Sequence, residues 1–133
     1  MAKIIIYEDL LLDLIWRYSD LTREHEIHGR LVHPESIRPW TGKELVNCGF
    51  DPKNFRDISP DLYKKEKADL YLLDGLDGDC FRLIKKLPKN RTYINSNSPE
   101  INKRARELGL NLAGPRSTTE TLQKIIDHLG GSK

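Results

Sequence analysis

Cysteine, methionine and long apolar runs are all scarce in this chain. Its 133 residues include two cysteines, Cys48 and Cys80, and one methionine. The cysteines lack CxxC spacing, which excludes a paired-cysteine metal site and points to free thiols rather than a disulfide framework. His25, His28, His33 and His128 show no metal-ligand spacing, and no histidine–cysteine pairing suggests a nucleophile with its base. The start, Met1-Ala2-Lys3-Ile4, opens a short apolar run that breaks at Glu8. That run is neither a signal peptide nor a membrane span, so a cytoplasmic protein without membrane contact is expected. Charge of one sign is also missing. The formal net charge is +2 and the basic residues are scattered, which gives no footprint for nucleic acid. Lys64, Lys65 and Lys67, and Lys85, Lys86 and Lys89, read as solvated helix faces. No repeat or low-complexity tract occurs, and no glycine-rich loop follows the first apolar run to cradle a nucleotide phosphate.

Hydrophobic residues make up 38% and charged residues 32%, which fits one well-solvated domain over residues 1–133. Strand and helix signals alternate. Lys3–Tyr7 is the first strand. A helix follows from Asp9 or Leu10 to about Arg23, with Leu11, Leu14, Ile15, Tyr18 and Leu21 on one stripe. Glu26–Val32 is a second strand that Gly29 interrupts, and Asp69–Leu73 is the third. A helical pattern from about Asp77 to Leu87 ends at Pro88, and Arg91–Asn95 is the fourth strand. Ser98-Pro99 caps and starts a helix that Gly109 terminates, and Leu110–Ala113 is the fifth strand. Ser117-Thr118-Thr119-Glu120 has capping-box spacing before a last helix stopped by Gly130-Gly131. The pattern predicts an α/β fold: a doubly wound, five-stranded parallel sheet in the order 2-1-3-4-5, with helices on both faces. The crossover between the second and third strands, residues 33–68, is longer than one helix needs. With weak helix starts at Thr41 and Ser59 and apolar anchors at Trp40, Phe50 and Phe55, it reads as an ordered, elaborated crossover in preference to a partner-binding patch.

Continuous apolar runs such as Ile4-Ile5-Ile6-Tyr7 and Leu70-Tyr71-Leu72-Leu73 mark central parallel strands. Glu8 and Asp9 follow the first run and Asp74 the other, which sets three carboxylates at the carboxyl edge of the sheet, where open α/β folds bind ligands. Such a trio repels itself unless a cation sits between its members, so a divalent-metal pocket is the first expectation.

These residues resemble the receiver domain of two-component response regulators. The resemblance is carried by the acidic pair Glu8-Asp9, the strand ending in Asp74, Ser96 after the fourth strand, Glu107-Leu108-Gly109 before the fifth, and the leucine-bearing last helix. It implies that Asp74 is a phospho-acceptor and that Glu8, Asp9, Asp74 and the backbone carbonyl of Leu76 hold Mg²⁺. It also implies that Ser96 contacts the phosphoryl group and couples it to the neighbouring helix. A histidine kinase or phosphotransfer protein would be the donor, and a downstream protein the target. Two features depart from the family. Ala113-Gly114-Pro115-Arg116 stands where the family ends its fifth strand in Lys, leaving Arg116 as the nearby cation, and Asp74-Gly75-Leu76-Asp77-Gly78 is shorter than the usual acceptor loop. A pseudo-receiver, the same fold used as an unphosphorylated interaction module, is therefore the second expectation.

Overall fold

Alternation along the first strand sends Ile4 and Ile6 to one side of a sheet and Ile5 and Tyr7 to the other, and all four are buried. The structure, a computed structural model, describes residues 2–32, 42–59, 61, 63–114 and 119–131. Six parallel strands form one sheet: β1 (Lys3–Glu8), β2 (Glu26–Val32), β3 (Phe55–Ile58), β4 (Leu70–Leu73), β5 (Thr92–Ile94) and β6 (Asn111–Leu112). Their order is β3-β2-β1-β4-β5-β6. On one face, Ile4, Ile6 and Leu72 pack against α1 (Leu11–Tyr18), α2 (Gly42–Asn47) and α5 (Thr119–Gly131), through Leu14, Tyr18, Leu45 and Leu122. On the other, Ile5, Tyr7 and Leu73 meet α3 (Cys80–Leu83) and α4 (Pro99–Glu107), through Phe81, Leu83 and Ala105. Among the described residues no helix is long and apolar enough to cross a membrane.

The parallel α/β architecture stands, but the expectation of five strands in the order 2-1-3-4-5 is corrected. A sixth strand, β3, lies in the crossover and pairs outside β2, while the five expected strands keep their neighbours. Its sequence hid it: Arg56 and Asp57 at its centre are exposed, so an edge strand of four residues carries little apolar signal. Gly29 does not weaken β2; it makes room for β3. A Cβ on Gly29 would lie 2.2 Å from Cε2 of Phe55, its register partner, so a side chain here displaces the ring. Phe50 and Phe55 are buried and meet edge to face at 5.5 Å, which gives both a structural role; Trp40 lies outside the described residues. The helix expected over 77–87 is broken into 3₁₀ turns at Leu76–Gly78 and Ile84–Lys86 around the four-residue α3. Gly78, at φ 97°, interrupts it. Lys64, Lys65 and Lys67 are exposed, but on irregular chain rather than a helix.

A part-buried ion pair fastens the crossover to the sheet. Arg30 on β2 grips Glu66 through Nε and Nη2, each at 2.8 Å, and its Nη1 donates to the carbonyls of Gly29 and Asn54. Tyr63 donates to the same carboxylate at 2.9 Å and shares a 2.7 Å hydrogen bond with Tyr7 on β1. The hydrogen bonds from Arg30 lead in holding the Glu66 carboxyl down at about 2, against its ordinary value of 4.5. A depressed folded-state value gives stability that is complete above the unfolded value and lost as pH falls through the folded one. Thermal unfolding followed from pH 5 to pH 2 is expected to show a progressive loss that Glu66→Gln flattens, with the variant about 2–3 kcal/mol less stable at pH 7. An unaltered pH profile in Glu66→Gln would remove this pair from the account.

Candidate functional site

The chain winds outward from β1 through β2 to β3 on one side, and from β4 through β5 to β6 on the other. The loops therefore part between the adjacent strands β1 and β4, at their carboxyl ends, which is the switch point where open α/β sheets form a crevice. Glu8 is the last residue of β1 and Asp9 the next; Asp74 follows β4. The Asp74 N–H donates to the Tyr7 carbonyl at 3.0 Å, carrying the strand pairing one step past β4 and fixing the two strand ends side by side.

Carboxylate oxygens of Glu8, Asp9 and Asp74 lie within 4.8 Å of one another. Asp9 and Asp74 are partly exposed, whereas Glu8 is 1% exposed. Glu8 Oε1 accepts the Asp9 N–H at 3.1 Å; Oε2 is buried without a hydrogen-bond partner. Burial, the Asp9 carboxyl beside it and the Asp74 charge all push the Glu8 carboxyl well above the usual carboxylate range, and Arg17 opposes them. A buried acceptor of this kind is costly unless something meets it. The donor set is oxygen only, partly open to water, and fits a hard divalent cation that keeps some of its own waters.

The other expected residues differ in how near they come. Leu76 takes the left-handed conformation, φ 51°, unusual for a branched apolar residue. Its N–H points at Asp74 Oδ2 at 3.4 Å and its carbonyl accepts from the Asp79 N–H. This strained turn is the short loop after Asp74, held by burial of the Leu76 side chain. Ser96, just beyond β5, is buried and accepts the Ser98 N–H at 3.1 Å; a Cβ on Gly75 would be 2.9 Å from its Oγ. Ser96 thus packs on the residue after Asp74. Its carbonyl accepts from Asn102 Nδ2 of α4 at 3.0 Å. Arg116 and the Ser117 cap lie outside the described residues.

Arg17 is the site residue that sequence reasoning missed. Its Nη1 lies 3.4 Å from Asp74 Oδ1 and 3.7 Å from Glu8 Oε2. The latter is an ion-pair distance and too long for a hydrogen bond. In sequence Arg17 stands four residues after Asp13, the spacing of an ordinary surface pair on a helix. The available signal was its position beside the buried Leu14–Tyr18 stripe, at the rim of the face turned to the sheet. Tyr18 itself is tied to the far side of the crevice: its hydroxyl accepts from Asn95 Nδ2 at 2.7 Å.

Compared with family models, curated proteins and solved structures, the chain gives no match. The functional reading therefore rests on this geometry and its chemistry. Glu8→Gln is expected to stabilise the metal-free protein at pH 8 by about 1–2 kcal/mol, because folding at that pH must either hold the Glu8 charge out of water or take up a proton to neutralise it, and the amide escapes both costs. Chemical denaturation of both proteins in chelator measures this; a less stable variant would make the Glu8 carboxylate an anchor rather than a strained group.

Proposed function

We propose that this chain is a receiver-like signalling domain that binds Mg²⁺ at Glu8, Asp9 and Asp74. It would accept a phosphoryl group on Asp74 from a histidine kinase or phosphotransfer protein, and act through contact with a downstream protein in the cytoplasm. One observation carries the reading: three carboxylates converge within 4.8 Å at the switch point, the most buried of them with an oxygen that no hydrogen bond meets. A structural cluster would have its acceptors met by the protein itself, as Glu66 does.

Asp74 is taken as the acceptor on the resemblance; it is partly exposed, as Asp9 is, and it is the carboxylate that closes the run Leu70–Leu73. Its oxygen forms a bond to phosphorus as the bond from phosphorus to the donor breaks. Bound Mg²⁺ would supply charge that offsets the repulsion between this carboxylate and the incoming phosphate. Glu8 and Asp9 would hold the ion together with Asp74, and the Leu76 carbonyl is a candidate further ligand. Ser96, packed on Gly75, would turn its hydroxyl to a phosphoryl oxygen, exchanging the Ser98 N–H contact for it. Because the Ser96 carbonyl is held by Asn102 of α4, that exchange would bear on the α4 surface. Arg116 is assigned to the phosphate on resemblance alone.

The second reading, an unphosphorylated interaction module, is favoured by a different observation. Leu12 and Trp16 are 71% and 89% exposed one helical turn apart on α1, an apolar surface suited to a protein partner whether or not Asp74 is modified. Incubation with Mg²⁺ and acetyl phosphate separates the two. The receiver reading expects the intact mass of the wild type to rise by one phosphoryl group, and no rise in Asp74→Asn. Identical masses at donor levels that modify an ordinary receiver leave the interaction module as the account.

A further inference from the structure

A phosphoryl group on Asp74 brings about two negative charges to a place that already holds Glu8 and Asp9. One divalent cation leaves that site net negative, and the chain has Ala113-Gly114-Pro115-Arg116 where the resembled family provides a lysine. Among the described residues, the ion pairs of both Glu8 and Asp74 run to the same group, Arg17.

Two arginine–carboxylate contacts in this molecule can be set side by side. Arg30 holds Glu66 with two nitrogens at 2.8 Å each, the fork geometry of a fixed structural pair. Arg17 instead reaches across two carboxylates with one nitrogen, at 3.4 and 3.7 Å. Such contacts neutralise charge without fixing geometry. Its side chain is 27% exposed, so the guanidinium has room to move. The helix beneath it does not: Leu14, Ile15 and Tyr18 are buried, and Tyr18 is bonded to Asn95. Arg17 is thus a long cationic arm on a rigid base at the mouth of the acidic crevice.

We infer that Arg17 is the charge-compensating residue of this site. It is the resting counter-ion of Glu8 and Asp74, it competes there with a divalent cation, and it faces the phosphoryl group once Asp74 carries one. The inference rests on the receiver reading and deepens it. With acetyl phosphate as donor, an Asp74 oxygen attacks phosphorus and the new O–P bond forms. The bond from phosphorus to the acetyl oxygen breaks, and its electron pair leaves on acetate. No proton is gained or lost. Negative charge grows on the transferring oxygens beside Asp74, where the Arg17 guanidinium stands.

Competition and compensation predict opposite effects of one substitution. In Arg17→Ala, Mg²⁺ affinity, followed by amide chemical shifts, is expected to rise about fivefold because the competing cation is gone. Modification by acetyl phosphate, followed by intact mass at saturating Mg²⁺, is expected to slow at least about tenfold. Arg17→Lys, which keeps the charge and loses the fork, should recover part of the rate. If wild type is modified and Arg17→Ala matches it in both affinity and rate, Arg17 is a bystander and the receiver reading survives without it. A parallel fall in affinity, rate and unfolding temperature would make its role structural and overturn the inference. A wild type that neither binds Mg²⁺ nor gains phosphate overturns the receiver reading, and this inference with it.

Discussion

Parallel pairing of β1 and β4 forces like charges together at their carboxyl ends. The backbone bond from Asp74 to Tyr7 places Asp74 beside Glu8, and the carboxylates cannot separate without breaking the sheet. Two unit charges at about 4 Å interact by roughly 4 kcal/mol at the effective dielectric of a protein surface. Several outcomes relieve that repulsion: a proton on Glu8, the guanidinium of Arg17, or a metal ion. The rest of the crevice is arranged around this choice. Leu76 is held in a left-handed turn that aims its N–H at Asp74, and Arg17 is set on a helix braced by Tyr18 and Asn95.

The same fold shows how a carboxylate is treated when stability alone is at stake. Glu66 is satisfied by Arg30 and Tyr63, with Arg56 at 2.7 Å completing its surroundings. Those contacts join β1, β2, β3 and the crossover into one unit. Glu8 is more deeply buried and yet less satisfied. Functional sites are where proteins tolerate such local cost, because a site made self-sufficient has nothing left to offer a ligand. The contrast between these two acids, a few strands apart, is the physical basis for placing function at one and structure at the other.

Much of this was legible in the sequence because the signals are local. Apolar runs at Ile4–Tyr7 and Leu70–Leu73 announce buried parallel strands, and the acids that follow them must then share an edge. The Ser98-Pro99 cap was also readable, and Ser98 Oγ accepts the Ile101 N–H as its position suggested. What escaped depends on long-range contact. β3 carries two exposed charged residues and is recognisable only when Phe55 is seen lying on Gly29. Arg17 has the i, i+4 spacing to Asp13 of an ordinary surface pair, and nothing in a linear pattern says that α1 turns that position toward the end of β4. The orphan oxygen of Glu8 has no sequence signature at all: that one carboxylate oxygen finds a hydrogen-bond donor and its twin does not is a property of tertiary packing.

The central claim is that Glu8, Asp9 and Asp74 together make a divalent-cation pocket. Substoichiometric Mn²⁺ added to isotope-labelled protein tests it directly, because the paramagnetic ion broadens the amide signals nearest to it. The account predicts that the amides of Glu8, Asp9, Asp74 and Leu76 are lost first, and that excess Mg²⁺ restores them. Another acidic region provides an internal control, the open groove lined by Asp20, Glu24, Glu120 and Asp127. Broadening that begins in that groove, or that spreads evenly over the surface acids while the ends of β1 and β4 stay sharp, would contradict the account.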